Sequence, residues 1–233
     1  VPGIADTTLR EAINAANANP DLSIISFDPT ALQTSRTINL TSALPTLTGN
    51  VEIRGPGGFT VRRDTGGDYR VFTVDYGAVA TISGMTISNG EGGISNNGTL
   101  TVENCSITNN TASGDGGGIE NYGTLTVTRT LVSSNTSGSG GGGIQSWGTL
   151  TVTQSTIGSN SATNGGGGID IGEGSATLSA ITIAGNRAPS GGGIRHLGSG
   201  LLAITNSTLS LNTTTTSSTS DGGAAIHLNA GYG

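Results

Sequence analysis

The stretch "GGGIENYGTLTV" at positions 116–127 returns as "GGGIQSWGTLTV" at positions 141–152. The same frame stands earlier as "EGGISNNGTLTV" at positions 91–102. An isoleucine therefore follows a Gly-Gly pair once every 25 residues, and the series continues beyond these three copies. Its members are Ile94, Ile119, Ile144, Ile169 and Ile194. A fixed period of this length predicts a repeat architecture in which each repeat packs against its neighbours.

Each repeat contains short segments with the period-two alternation of a β-strand. In "TLTV", threonine alternates with leucine or valine, so one side of the strand is polar and the other is apolar. A second short strand carries one apolar residue per repeat, namely Ile107, Val132, Ile157, Ile183 and Leu209. The isoleucine after Gly-Gly marks a third strand. Three short strands per coil, joined by Gly and Asn turns, predict a single right-handed parallel β-helix with coils stacked at roughly 4.8 Å.

The spacing predicts an asparagine ladder, and the composition predicts a thin core. Asn110, Asn135 and Asn160 recur at intervals of 25 residues. We expect this asparagine to adopt the left-handed backbone of a turn and to stack its amide on its copies. Aromatic residues make up 3% of the sequence and hydrophobic residues 33%. The core is therefore predicted to consist of Ile, Val and Leu.

The whole chain, residues 1–233, is predicted to form one all-β domain. Residues 1–36 form an N-terminal cap region, whose segment 7–17 is an amphipathic helix with Thr8 and Glu11 at the spacing of a capping box. Residues 37–90 form irregular first coils, with strands at 37–40, 50–55, 59–63 and 70–74. Residues 91–212 form the regular coils. Residues 213–233 hold a polar insertion and a last coil without a visible cap, which leaves a strand edge for self-association.

Two features resemble known bacterial families. The "GGGI" and "GGAAI" elements, with Ile107 followed by Asn110, resemble polymorphic outer-membrane protein repeats, in which Gly-Gly-Ala-Ile precedes Phe-x-x-Asn. Aliphatic residues replace the phenylalanine here. Segments 7–17 and 41–57 resemble secreted right-handed β-helix proteins with a Cys-Ser-Leu-Arg-Glu-Ala leader, and Thr7 and Thr8 occupy the Cys-Ser positions.

These resemblances imply a secreted or cell-surface location in a bacterium, with the signal lying outside this chain. They also imply adhesive or structural roles for a non-enzymatic module, and the predicted strand edge adds end-to-end assembly. The same pectin-lyase-like fold also holds pectate lyases and other polysaccharide-cleaving enzymes, so the fold alone does not decide function. A polysaccharide-binding or polysaccharide-cleaving protein is therefore the first alternative.

The variable positions of the repeat form a candidate glycan or protein-binding surface. The position after the repeat isoleucine carries Glu120, Gln145, Asp170 and Arg195 in successive coils, and the position two residues later carries Tyr122 and Trp147. Glu120 and Asp170 would lie two coils apart, roughly 9.5 Å, which is near the upper limit of about 9.5 Å for an inverting carboxylate pair. Tyr122 and Trp147 could stack on a sugar ring. The competing interpretation is that these outward positions are ordinary surface.

A threonine array is a second candidate surface. Its members are Thr99, Thr101, Thr124, Thr126, Thr149 and Thr151. Such regular arrays of methyls and hydroxyls occur in ice-binding β-solenoids, which gives a second alternative function. We expect the array to break at Ser175/Thr177 and to end at Leu201/Ala203. Threonine is also a common exposed strand residue, which is the simpler explanation.

Several classes of function are disfavoured. The net charge of −6 argues against a nucleic-acid partner and against binding to an anionic membrane. No apolar run is long enough to insert into a membrane. His196 and His227 lack neighbouring ligands at metal-binding spacing, and Cys105 falls in a column of small or apolar residues. No catalytic residue, metal or cofactor is predicted.

Overall fold

The computed structural model describes residues 8–28, 30, 36–215 and 223–229. The described residues form one short helix followed by strands whose pairs are parallel. The strands stack as a β-solenoid of about seven turns, so the predicted parallel β-helix is confirmed. No helix in the described ranges is long and apolar enough to cross a bilayer.

The first part of the chain forms the helix and the irregular coils. Its elements are α1 (Leu9–Asn17), β1 (Ser23–Ser26), β2 (Thr37–Leu40), β3 (Asn50–Arg63), β4 (Phe72–Val74) and β5 (Val79–Ser88). The strand predicted at 37–40 is confirmed as β2. The two strands predicted at 50–55 and 59–63 are a single strand, β3, which bends at Gly57 and Gly58, where φ is 77° and 62° and the pairing with β5 shifts register.

The regular coils follow, each built from four short strands. The first is β6 (Ile94–Asn96), β7 (Thr99–Glu103), β8 (Ser106–Thr108) and β9 (Thr111–Ala112). The second is β10 (Ile119–Asn121), β11 (Thr124–Thr128), β12 (Leu131–Ser133) and β13 (Thr136–Ser137). The third is β14 (Ile144–Ser146), β15 (Thr149–Thr153), β16 (Thr156–Gly158) and β17 (Ser161–Ala162).

Two further coils and one more strand complete the described part. The fourth coil is β18 (Ile169–Ile171), β19 (Ala176–Ser179), β20 (Thr182–Ala184) and β21 (Arg187–Ala188). The fifth is β22 (Ile194–Leu197), β23 (Leu202–Thr205), β24 (Thr208–Ser210) and β25 (Thr213–Thr214), and β26 (Ile226–Asn229) follows. Most of the predicted polar insertion lies outside the described residues. The prediction of three strands per coil was wrong, because the fourth strand has two residues and shows no period.

The strands align in register to form the faces of the solenoid. The first face contains β4, β6, β10, β14, β18, β22 and β26. The second face, which we call the threonine face, contains β7, β11, β15, β19 and β23. It joins the third face, formed by β8, β12, β16, β20 and β24, because β5 pairs with both β7 and β8. Identical positions of successive repeats therefore lie directly beside one another.

The inward side chains form apolar columns along the axis. Ile119 pairs with Ile94 on one side and Ile144 on the other, and all three are buried. Leu125 and Val127 are likewise buried on the threonine face. Burying an aliphatic side chain of this size contributes about 1.5–3 kcal/mol relative to leaving it exposed. The predicted aliphatic core is therefore correct for the regular coils.

The buried asparagine ladder stabilises the turn before the fourth strand. Asn135 donates from its main-chain nitrogen and from Nδ2 to Oδ1 of Asn160, at 2.9 and 3.1 Å. Its own Oδ1 accepts from the main-chain nitrogen of Asn110 at 3.0 Å. The expectation that the ladder asparagine itself is left-handed was wrong. The preceding residue has the positive φ, 57° at Ser134 and 57° at Ser159, which leaves the asparagine amide free to point inward.

The N-terminal helix has the predicted capping box. Oγ1 of Thr8 accepts from the Glu11 nitrogen at 3.3 Å, and Oε2 of Glu11 accepts from the Thr8 nitrogen at 2.9 Å. Leu9, Ile13 and Ala16 are buried, and the helix packs on β1 and β3. The helix therefore covers the apolar end of the first coils, as a solenoid cap must.

Candidate functional site

The predicted variable column is present on the first face. Glu120 pairs with Gln145, which pairs with Asp170, which in turn pairs with Arg195. Strand pairing therefore brings these four side chains into one line along the axis. The expected alignment of the column is correct.

The Gly-rich turns cover the middle of this column. Gln145 is 2% exposed and Asp170 is 1% exposed. A Cβ atom on Gly140 would overlap the Asp170 carboxylate and the Gln145 amide, so only glycine lets the turn lie over them. The expectation of an exposed surface was therefore wrong for Gln145 and Asp170. The 25-residue period predicts the variable column, but it does not predict that the Gly-rich turns fold over that column.

The buried Asp170 forms an ion pair with the partly buried Arg195. The Arg195 guanidinium donates from Nε to Oδ1 at 2.8 Å and from Nη2 to Oδ2 at 2.6 Å. Burial raises the pKa of Asp170, and the hydrogen bonds from Arg195 offset part of this effect. Such two-point geometry compensates for the loss of hydration of both charges. The pair links two adjacent coils.

Glu120 is paired with Arg70, a residue that sequence reasoning missed. Nη2 of Arg70 lies 2.8 Å from Oε2 of Glu120, although the two residues belong to coils two repeats apart. Arg70 also donates to the main-chain oxygens of Asp115 and Gly116 at 2.8 and 2.9 Å. Burial lowers the pKa of Arg70, and the Glu120 carboxylate opposes this change. Arg70 lies in an irregular coil, so the 25-residue period gives no signal for it.

These contacts decide what the carboxylates can do. Asp170 is covered and bound to Arg195, and Glu120 is bound to Arg70 and to the Tyr122 hydroxyl at 3.0 Å. Inverting hydrolysis requires one carboxyl to donate a proton and the other to activate a water beside the same sugar. In this arrangement, Glu120 and Asp170 stabilise the coils, and neither presents a free oxygen to a ligand.

Exposed aromatic side chains lie at the corner between the first face and the threonine face. Tyr122 is 51% exposed and Trp147 is 43% exposed, as the sequence predicts for this surface. Tyr76, which is 89% exposed, stands at the same corner after β4. We call Tyr76, Tyr122 and Trp147 the aromatic corner. Sequence reasoning missed Tyr76 because two extra residues in its turn place it outside the repeat frame.

Two contacts fix the aromatic rings. A Cβ atom on Gly172 would overlap the six-membered ring of Trp147, so the indole lies over the backbone of the next coil. The Tyr122 hydroxyl donates to Oε1 of Glu120 at 3.0 Å. Partial burial raises the pKa of Tyr122, and this hydrogen bond raises it further. The two rings are therefore held in place, and each keeps a surface open to solvent.

The threonine array is present and is longer than expected. Thr126 pairs with Thr101 and Thr151, and this middle column continues without interruption to Thr81 and Thr177. The outer column holds Thr99, Thr124 and Thr149, which are exposed. The expected break at Thr177 was therefore wrong for the middle column, because the fourth coil keeps register despite its extra residue. The column ends at Ala203, as expected.

The remaining titratable candidates have packing roles. Cys105 is buried, its main-chain nitrogen donates to Oγ1 of Thr130 at 3.2 Å, and burial raises the pKa of its thiol to about 11. His196 points inward, and its Nε2 has no hydrogen-bond partner among the described residues. Among the residues that the structure describes, no three His, Cys, Asp or Glu side chains are placed to hold a metal ion.

Comparison with protein families gives one match. Residues 104–122 match the Chlamydia polymorphic membrane protein repeat. The matched segment runs from the turn before β8 to Tyr122, so it includes the ladder residue Asn110 and the Gly-rich turn. Comparisons with curated proteins and with solved structures give no match. The repeat and the β-solenoid suggest a surface-associated, adhesin-like module of a bacterial outer membrane or cell surface.

Proposed function

We propose that this chain is a non-enzymatic adhesive module that a bacterium displays at its surface. The observation that carries the proposal is the aromatic corner. Three aromatic side chains project from one edge of the solenoid, whereas Phe59 and Phe72 are buried in its core. Aromatic side chains supply large contact area at low entropic cost, which is why they are enriched at binding surfaces.

The rest of the molecule supports this role by holding the corner rigid. Main-chain nitrogens of Tyr122 and Trp147 donate to Asn96 and Asn121 of the preceding coils, each at 2.8 Å. The ion pair between Arg70 and Glu120 fixes the coils on either side. A partner would therefore meet a surface that needs little ordering on binding, which favours affinity.

Surface display tests the adhesive role. The chain would be displayed on non-adherent bacterial cells, which would then be applied to cultured epithelial cells and counted after washing. We expect more cells to adhere when they display the chain than when they do not. The double variant Tyr122→Ala/Trp147→Ala should remove most of this adhesion. Leu131→Ala is the matched control, because Leu131 is an exposed apolar residue on the third face. Equal adhesion of all variants, or none with the unchanged chain, would contradict the proposal.

Self-association is part of the same proposal. In the fifth coil, Leu202, Ile204 and Leu209 are only partly buried, whereas their counterparts in earlier coils are fully buried. Further coils stacked on β23 and β24 would complete this burial, and a second copy could supply them. Size-exclusion chromatography and electron microscopy at several concentrations would reveal end-to-end particles. A particle of one size at all concentrations would count against this part of the proposal.

The threonine face supports ice binding as a second candidate function. The supporting observation is the uninterrupted middle column from Thr81 to Thr177. Ice recrystallisation would be compared for the unchanged chain, for Thr126→Lys in the centre of the face and for Thr156→Lys on the third face. Inhibition that only Thr126→Lys abolishes would support ice binding. Ice recrystallisation at the normal rate in the presence of the unchanged chain would contradict ice binding.

A further inference from the structure

The aromatic corner follows the solenoid axis, because its three residues lie at the same corner in different coils. Trp147 stands one coil beyond Tyr122, and Tyr76 stands two coils before it. At the spacing of adjacent strands, these steps correspond to about 5 Å and about 10 Å. Asn97 occupies the corner of the intermediate coil and is half-buried. The corner is therefore a row of sites for an extended ligand.

One ring of the row is a prepared stacking surface. The Trp147 indole lies against the backbone at Gly172, so one of its faces is occupied and the other faces solvent. A flat ligand with an apolar face fits the free side without a change in the protein. Pyranose rings have such a face, formed by their axial C–H groups, and their hydroxyls remain at the rim.

Hydroxyl groups flank the row in three successive coils, and in the coil of Tyr76 the equivalent position is the exposed Val79. Thr99, Thr124 and Thr149 each follow the corner glycine of their coil and are exposed. Threonine hydroxyls both donate and accept hydrogen bonds, as sugar hydroxyls do. The threonine hydroxyls are therefore placed to form hydrogen bonds with the hydroxyls of a sugar chain that lies on the aromatic rings.

Charge narrows the ligand class further. Asp75 is exposed in the turn of Tyr76, Glu173 is exposed in the corner turn one coil beyond Trp147, and the chain has a net charge of −6. The Arg70 guanidinium is already bound to Glu120. A polymer of uronic or sialic acids would be repelled. A neutral sugar chain avoids this cost.

We propose that the aromatic corner binds a neutral, linear polysaccharide that lies parallel to the solenoid axis. Trp147 and Tyr122 stack on neighbouring parts of the chain, and Tyr76 stacks on a more distant residue. This assignment rests on the adhesive role proposed above and names the ligand class for it. The occupant is a sugar polymer and not a protein, because the row is narrow, continuous with the hydroxyl column and spaced for a repeating ligand.

Trp147 is the only tryptophan of the chain, so its fluorescence reports on this site alone. The full purified chain would be titrated with cellohexaose, chitohexaose, mannohexaose and maltohexaose. We expect a saturable emission change with at least one of them. Tyr122→Ala should weaken its binding about tenfold, the effect of losing roughly 1.4 kcal/mol of stacking. Leu131→Ala should leave binding unchanged.

Ligand length tests the axial direction. Tyr76→Ala should weaken binding of the hexaose several-fold and leave binding of the matching trisaccharide unchanged, because the shorter chain does not reach from Trp147 to Tyr76. Gly172→Ala keeps all three rings but displaces the indole, so it should shift the emission of the free protein and reduce binding. Circular dichroism would establish that both variants keep the β-solenoid.

The outcomes separate this proposal from the adhesive role. No saturable change with any of the four hexaoses would overturn the sugar assignment. Equal weakening of trisaccharide and hexaose binding by Tyr76→Ala would overturn the axial direction of the ligand. Adhesion that depends on Tyr122 but is not reduced by the hexaoses would indicate a protein partner, which sinks this proposal and leaves the adhesive role standing. Hexaose binding without adhesion of displaying cells would support this site and contradict the adhesive role.

Discussion

Ala180 has a φ of 54°, at the turn position that Gln154 and Asn206 occupy in the neighbouring coils. For a residue with a Cβ atom, the left-handed region costs about 1–2 kcal/mol. Glycine adopts this region without that cost, although it loses more entropy on folding. The turn therefore contains a site at which the sequence is locally unfavourable.

We expect Ala180→Gly to stabilise the protein by about 1 kcal/mol, since relief of the backbone strain exceeds the entropic loss. Thermal and urea unfolding would measure the change. Ala203→Gly in strand β23 is the matched control, and it should destabilise the protein by about 0.5–1 kcal/mol because no positive φ is relieved there. Destabilisation by Ala180→Gly would contradict the explanation.

Cys105 provides a pH-dependent prediction. Burial raises the pKa of its thiol from an ordinary value near 9 to about 11. Because the folded pKa lies above the unfolded one, the stabilising contribution of the neutral thiol is complete below pH 9 and is lost as the pH rises through 11. The native thiol should also react slowly with a disulfide reagent at pH 8 and rapidly after denaturation.

Cys105→Ser isolates this contribution. Ser155 occupies the equivalent position two coils later, where its Oγ accepts from the Thr130 nitrogen at 3.1 Å and donates to the Thr153 oxygen at 2.7 Å. We therefore expect Cys105→Ser to fold. Relative to this variant, the unchanged chain should lose on the order of 2–3 kcal/mol between pH 9 and pH 11. A constant difference in unfolding free energy across that range would show that burial does not perturb the thiol.

At the scale of the element, buried amide ladders tie each coil to the next. Asn96 donates from Nδ2 to Oδ1 of Asn121 at 2.7 Å, and Asn121 donates to Oγ of Ser146 at 3.0 Å. This second ladder runs along the first face on its inward side, whereas the variable column lies on its outward side. It was not predicted, because its members are not identical and the series ends at Ile171.

The main asparagine ladder gives a prediction at this scale. Asn135→Ala would leave the main-chain nitrogen of Asn110 and the main-chain oxygen of Ile107 without their partners. Each unsatisfied buried group costs about 1–3 kcal/mol, so we expect a loss of about 2–4 kcal/mol. Chemical unfolding measures this loss. Asn164→Ala at an exposed turn should be near neutral, and equal losses for the two variants would show that the ladder contributes nothing specific.

Features that follow the 25-residue repeat or a helix-capping pattern were predictable from the sequence, and features that depend on neither were not. The isoleucine columns, the threonine columns and helix α1 were predictable, because period and capping depend on residue type alone. The burial of Asp170 was not, since the repeat carries no information on where a glycine turn folds. Arg70 and Tyr76 were also missed, because both lie in coils that depart from the 25-residue frame.

At the scale of the whole molecule, the two candidate surfaces share one side. The aromatic corner and the threonine face meet at Gly98, Gly123 and Gly148, where the chain turns from the first face to the second. The ion pairs of Glu120 and Asp170 lie in the outward column of the first face, where Arg70 and Glu120 link coils two repeats apart and Asp170 and Arg195 link adjacent coils. Rigidity is therefore built from side chains that do not face the ligand, and the exposed positions are left free to vary.

A solenoid with contacts between neighbouring coils should open from its less buried coils. Leu202, Ile204 and Leu209 in the fifth coil are only partly buried, whereas the same columns are fully buried from β7 to β16. Local opening free energies follow burial, so the amides of β23 and β24 should exchange with solvent faster than those of β11 and β15. Hydrogen exchange with mass spectrometry would measure the gradient. Ile144→Ala should accelerate exchange in the central coils, and uniform exchange of all coils would instead indicate that the β-solenoid unfolds as one cooperative unit.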